Sequence, residues 1–369
     1  MKATVKSKKM VFVAMSGGVD SSVAALLLKK QGYNVIGIFM RCFNIDGCAE
    51  RDAEDARRVA EKLKIPFYVW DFEEEYKKKV VEYMVNGYKK GITPNPDVMC
   101  NKEIKFGIFL EKALQMGADY VATWHYIKIQ KSKFKNQNDN LKSKIVYKLL
   151  QARDQNKDQS YFLWILTQKQ LKHCLFPIGD YLKPEVREIA KKVGLPTAEK
   201  KDSQGICFLG KVSLGDFLQQ YISSKKGNVL NVDGEKIGEH KGAQFYTIGQ
   251  RHGLGIGGSG KPYYVVEKNV KKNIIIVAEG DDNLALYKKE IGLSNVNLVN
   301  YELGIMNKEL KIPILVRVRY RQPLTIALFI IHNSLFKLVF DMPVKFVAPG
   351  QSAVFYGEKG EMLGGGIIS

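Results

Sequence analysis

A chain of 369 residues, 45% hydrophobic and 26% charged, has apolar material for two or three packed domains and is not a disordered polymer. No run approaches the roughly twenty uncharged apolar residues of a membrane span, and five cysteines without CxxC spacing argue against a disulfide scaffold or a zinc module. The formal charge of +19 suits a phosphate-rich partner, because neutralising a polyanion releases its counterions.

The basic opening, MKATVKSKKM, passes directly into strand-like residues with no signal-peptide apolar region, so the cytoplasm is the expected compartment. MVFVAM then reads as a strand, residues 21–31 as a helix and YNVIGIFM as a strand. A charged helix is expected over 52–64, a strand at PFYVWDF, helices over 73–90 and 102–116, and a strand at ADYVAT. This alternation predicts an α/β domain with a doubly wound parallel sheet. Residues 131–144 are polar and aperiodic and read as an exposed loop. SYFLWILTQKQL and KPEVREIAKKVG read as helices, the second stopped by Gly194. Beyond about residue 210, short apolar alternations and glycine turns predict two smaller β-rich modules, with domains expected at 1–212, 213–282 and 283–369.

The turn after the first strand is SGGVDSS, residues 16–22. In a doubly wound sheet this is the favoured phosphate site. Gly17 and Gly18 let the backbone approach a phosphate, the helix start offers N–H groups, and Ser16, Ser21 and Ser22 add hydroxyls. It matches neither the Walker pattern nor GxGxxG. Asp20 is the odd member, since a carboxylate beside phosphates makes sense when a cation lies between them. The simpler reading is a turn capped by serine or aspartate.

Two cysteines stand apart. In TPNPDVMCNKEIKF, a helix start at or beside Asn101 puts Cys100 near a helix N-terminus with Lys102 and Lys105 close by, and both features favour thiolate. Asp97 lies three residues earlier, in the loop. Cys207 follows the turn of KKDSQGICFLG, whereas Cys42, Cys48 and Cys174 read as small buried hydrophobes. In ILVRVRYRQ, Ile314, Val316 and Val318 share one strand face and Arg317, Arg319 and Arg321 the other, as a rail for phosphates.

SGGVDSS resembles the pyrophosphate (PP) loop of the N-type ATP pyrophosphatases, an adenine nucleotide alpha hydrolase-like fold that splits ATP between its α- and β-phosphates. With TPNPDVMCNKEIKF, NKDQSYFLW, LFPIG, KKDSQGICF, YTIGQRHGLGIGG, VRYRQ and PGQSAVFYG, the chain resembles the tRNA-specific 2-thiouridylases over nearly its whole length. The resemblance implies ATP-dependent 2-thiolation of the wobble uridine of tRNA. ATP is expected on Ala14, Met15, Ser16, Gly17, Gly18, Val19, Asp20 and Ser21, near Met40, with Mg²⁺ on its phosphates and no permanent metal. Trp124 stands at the nucleotide pocket where the family has glycine. Cys207 is the expected persulfide carrier and Cys100 the nucleophile, which releases sulfide or closes a transient disulfide with Cys207; Asp97 is the acid or base. Asn95, Pro96 and Asp97 are expected at the target base, and His125, Lys157, Asp158, Gln159, Arg319, Tyr320 and Gln351 at the tRNA. The implied partners are the tRNAs for lysine, glutamate and glutamine and a persulfide donor protein, either a cysteine desulfurase or a relay. IGQRHGLGIGG, with no helix after it, reads as part of a β-module that grips the anticodon arm or closes over the site. The alternative function is a tRNA-binding protein of the same loop class whose catalysis Trp124 impairs.

Overall fold

Five apolar residues make the first strand, β1 (Met10–Ala14), and its last four are buried, as a central strand covered on both faces requires. The computed structural model describes residues 8–43, 47–135, 143–202, 209–210, 212–257, 260–300, 310–333 and 335–369. In it β2 (Asn34–Arg41) and then β3 (Phe67–Asp71) lie parallel on one side of β1, and β4 (Tyr120–Ala122) lies parallel on the other. An antiparallel hairpin, β5 (Ile127–Lys135) with β6 (Ser143–Gln151), comes next in the chain, and β7 (Cys174–Leu175) extends the parallel sheet beyond β4. The order β3-β2-β1-β4-β7 reverses direction between β1 and β4, so the switch point lies at their carboxyl ends. Helices α1 (Val19–Lys30) and α2 (Cys48–Leu63) supply Val23, Ala24, Ala56 and Val59 to the core beside β1.

The stretch from residue 73 is helical as expected: α3 (Glu73–Tyr76), a π-helical turn (Lys77–Val81) and α4 (Glu82–Lys89). Next come α5 (Pro96–Cys100), a π-helix (Asn101–Ile108), α6 (Phe109–Gln115), α7 (Gln168–Leu171), α8 (Lys183–Val193) and α9 (Leu214–Gln219). Gly194 caps α8 in the left-handed region, at φ 64°.

The chain divides into two compact units: Met1–Lys79 with Asp97–Lys211 and Gly360–Met362, and Val80–Pro96 with Val212–Lys359 and Leu363–Ser369. In the second, β8 (Gly227–Leu230), β9 (Lys236–His240), β10 (Tyr263–Asn269) and β11 (Ile274–Glu279) form one sheet around Val229, Val265, Ile275 and Val277. The remaining strands are β12 (Tyr287–Leu298), β13 (Leu310–Arg317), β14 (Thr325–His332), β15 (Leu335–Lys345), β16 (Ser352–Tyr356) and β17 (Glu361–Ile368). They run β12-β15-β14-β13-β16-β17, and β17 pairs back onto β12 to close a barrel.

Two expectations are corrected. Much of 131–144 is not loop: the ladder continues to the pair Lys135 and Ser143, and Ile127 and Leu149 are buried on one face. The lysines that made the stretch look unstructured share strands with those apolar positions; residues 136–142 lie outside the described residues. SYFLWILTQKQL is not one helix either. A 3-10 turn (Ser160–Phe162) precedes α7, and Thr167 starts α7 afresh by accepting from the Gln170 backbone N–H in a capping box.

Candidate nucleotide and RNA site

The PP loop leaves β1 at the switch point. Gly17 has φ +71°, and a Cβ there would stand 2.2 Å from the Asp52 carbonyl oxygen, so only glycine fits. The N-cap of α1 is Gly18, not serine or aspartate, which overturns the capped-turn reading. The Ser21 and Ser22 hydroxyls both donate to the Gly18 carbonyl, at 3.0 and 2.8 Å, and the Ser16 N–H donates to Ser21 Oγ at 3.1 Å. Thr197 donates to Ser22 at 2.9 Å. These bonds fix the loop from within. Met15 is buried in the core and Met40 is half-buried near the end of β2.

Asp20 already has a cation. Lys183 Nζ lies 2.7 Å from each of its carboxylate oxygens, and Tyr126 donates its hydroxyl at 2.9 Å. Lys183 also lies 2.8 Å from Asp202, which is held in turn by Lys157 and Arg187, each at 2.7 Å. Burial alone would raise the Asp202 carboxyl, but the hydrogen bonds from Lys157 and Lys183 outweigh it and hold the pKa down at about 2. Sequence reasoning missed Lys183 and Tyr126. One signal was available: Lys183 opens helix α8, where a cation opposes the helix dipole and needs an external partner.

The helix bearing Cys100 starts earlier than expected. Pro96, whose missing N–H costs nothing at a first helical position, begins α5, so Asp97 sits in the first turn rather than in a loop. Cys100 is a turn further in and buried, and Lys102 points to Glu103 at 3.5 Å. Lys105 instead lies 5.2 Å over the Trp124 ring. Burial pushes the Asp97 carboxyl above its ordinary range against the pull of Lys105. Trp124 packs on the core and stacks on His125, with centroids 6.2 Å apart and planes 5° apart. His125 is 3% exposed, lies between Phe106 and Phe176, and its Nδ1 is 2.8 Å from Thr123 Oγ1. Burial, aided by Lys105, holds the imidazole neutral.

Several of the residues expected at the tRNA have hydrogen-bond partners within the chain. Asp158 is 1% exposed and accepts from the Ala152 and Ser160 N–H groups, the Ser160 hydroxyl and the Gln151 amide. Gln159 accepts from the Tyr126 N–H at 2.9 Å, and Lys157 is engaged with Asp202. In the second unit, Gln351 donates to the Thr93 and Pro94 carbonyls at 3.0 and 3.4 Å. Gly350 beside it, at φ +91°, has no room for a Cβ, which would meet the Thr93 carbonyl at 2.9 Å. The segment leading to Asn95 and Pro96 is thus stapled to this turn.

The arginine rail does not form. Strand β13 ends at Arg317, whose guanidinium is buried 5.5 Å from the Tyr356 ring. A turn follows, with Arg321 at φ +66°, and a turn breaks the two-residue alternation on which the rail depended. Arg319 donates to the Ile248 carbonyl and lies 5.7 Å from the Phe346 ring. With Gln250, Arg251, His252 and Tyr264 it lines a cavity of about 640 Å³, which gives the IGQRHG segment a place. Tyr320 is half-buried, with Arg321 5.1 Å from its ring. Cys207 lies outside the described residues, as does its pairing with Cys100.

A family model described as a tRNA methyl transferase HUP domain matches residues 9–211. A tRNA methyl transferase PRC-barrel domain matches 215–279, and an aminomethyltransferase beta-barrel domain matches 288–368. The tRNA-specific 2-thiouridylase MnmA of Bacillus licheniformis is 48% identical over 97% of this chain and 94% of its own. Those of Geobacillus thermodenitrificans and Bacillus subtilis are 48% and 47% identical, with the same coverage. A loop fixed at the switch point of a parallel sheet, followed by two β-rich modules along the full length of these relatives, leads to one conclusion: the chain belongs to the tRNA-specific 2-thiouridylase family.

Proposed function

We infer that this chain uses ATP to place sulfur on carbon 2 of the wobble uridine of tRNA. The observation that carries the reading is a PP loop at the sheet's switch point in a chain aligned with 2-thiouridylases over 97% of its length. ATP would lie along residues 14–21, with Met40 and Trp124 beside it. Among the described residues no group of three or more histidine, cysteine, aspartate or glutamate side chains could hold a metal. Mg²⁺ would arrive on the phosphates and meet Asp20, where it would neutralise triphosphate charge.

The uridine 2-oxygen attacks the α-phosphorus, an O–P bond forms, and pyrophosphate leaves with the electron pair of the broken bond. The uridine N3 proton passes to a base, the role assigned to Asp97, whose raised pKa suits proton transfer nearer neutrality. Cys207 carries sulfur as a persulfide from a cytoplasmic cysteine desulfurase or relay protein. Its terminal sulfur attacks carbon 2 and AMP departs. The Cys100 thiolate then attacks Cys207 Sγ: a disulfide forms, the bond to the transferred sulfur breaks, and the electron pair stays on the new thiocarbonyl. A thiol reductant resets the pair. Release of sulfide at Cys100 is the other route to the same product.

Asn95, Pro96 and Asp97 are assigned to the target base and Arg319 and Tyr320 to tRNA, with modules divided near residues 212 and 282. The full-length likeness does not favour the impaired-catalysis reading of Trp124. Cys207→Ser tests the division of labour: tRNA-dependent AMP transfer from ATP should persist while persulfide loading stops, measured by radiolabel from ATP and from the sulfur donor. Loss of both would overturn it.

A further inference from the structure

Lys183 is a cation in an electrostatically wrong place, the amino end of α8, and its side chain is 10% exposed. Its three N–H donors are directed at Asp20, through both oxygens, and at Asp202. Each carboxylate has a second donor. Asp20 keeps the Tyr126 hydroxyl, and Asp202 keeps Lys157 and Arg187. The five charged groups, Asp20, Asp202, Lys157, Lys183 and Arg187, sum to one positive charge. When Lys183 moves, Asp202 keeps two cations, and Asp20, whose side chain is 23% exposed, keeps a hydroxyl donor and gives up its ammonium to an incoming anion.

We propose that Lys183 is the phosphate-receiving cation of the loop, held by Asp20 until the anionic chain of ATP arrives, and then donating to the β,γ-diphosphate that leaves. Tyr126 holds Asp20 during the exchange, and after the products part the carboxylate takes the ammonium back, which favours pyrophosphate release. This deepens the ATP reading and rests on it.

The test uses the full chain and inorganic pyrophosphate, with binding measured by calorimetry in the presence of a metal chelator and again with Mg²⁺. Without metal, Lys183→Gln should weaken binding by about tenfold, the loss of a charge-assisted hydrogen bond, and Lys183→Arg should recover part of it. Asp20→Asn should tighten metal-free binding several-fold, because the competing carboxylate is gone, yet weaken it when Mg²⁺ is present. Affinity unchanged in Lys183→Gln, or metal-free binding weakened in Asp20→Asn, overturns the proposal. Should Lys183→Gln fail to fold, the Asp20→Asn result decides alone. A native chain that binds no pyrophosphate under either condition would instead defeat the reading of the loop.

Discussion

Asp97 and His125 respond to the same neighbour, Lys105, but burial dominates both. A carboxyl raised by burial ionises in the unfolded chain at its usual pH and in the fold only at a higher one. Between those points the fold holds the extra proton, so stability present below the usual carboxylate range is lost as pH rises through the raised value. Asp97→Asn removes that loss. Its melting temperature, compared with the native chain from about pH 3 to about pH 7, should gain on the native value as pH rises; a constant difference would contradict a raised Asp97. The imidazole works in the opposite sense, since stability falls as acid protonates the unfolded ring near 6.5 while the buried ring resists. Asp97 and Cys100 could be singled out as candidates because they share one short motif with distinctive prolines. Tyr126 and Lys183 were not, because they meet Asp20 across 106 and 163 residues of chain, and no local pattern reports such a pairing.

At the scale of elements, apolar periodicity located four of the five parallel strands and α1, α2 and α8, since those segments bury one face or both, and it missed β7, which is only two residues long. It failed where polar residues alternate with few apolar ones, as in the β5–β6 hairpin, and where alternation runs past a strand end, as at Arg317. The turn at Gly350 and Gln351 shows a tertiary staple that sequence could suggest only as a contact residue. Gln351→Ala removes the donor to two carbonyls before Asn95, at a cost of about 1 kcal/mol. The expected result is a melting temperature lower by roughly 2 °C and faster proteolysis near residue 93. Cleavage at the native rate would show that the staple does not hold that segment.

For the whole molecule, the alternation of strands and helices and the later run of short strands with glycine turns gave the outline, a parallel α/β part followed by β-rich modules, and the charge of +19 pointed to a polyanion. Charge did not locate the interface. Lys157, Lys183, Lys200 and Arg187 are engaged by carboxylates, so part of the positive charge organises the chain internally. No described helix is long and apolar enough to cross a membrane. The family models carry methyl transferase descriptions while the full-length relatives are thiouridylases, and these chemistries leave different atoms on the RNA. Mass analysis of tRNA nucleosides after incubation with tRNA, ATP, Mg²⁺ and a persulfide donor therefore tests the central claim most directly. The account predicts 2-thiouridine at the wobble position with one AMP released per sulfur inserted. A nucleoside that gains no sulfur while AMP is released, or one that gains a methyl group, would contradict it.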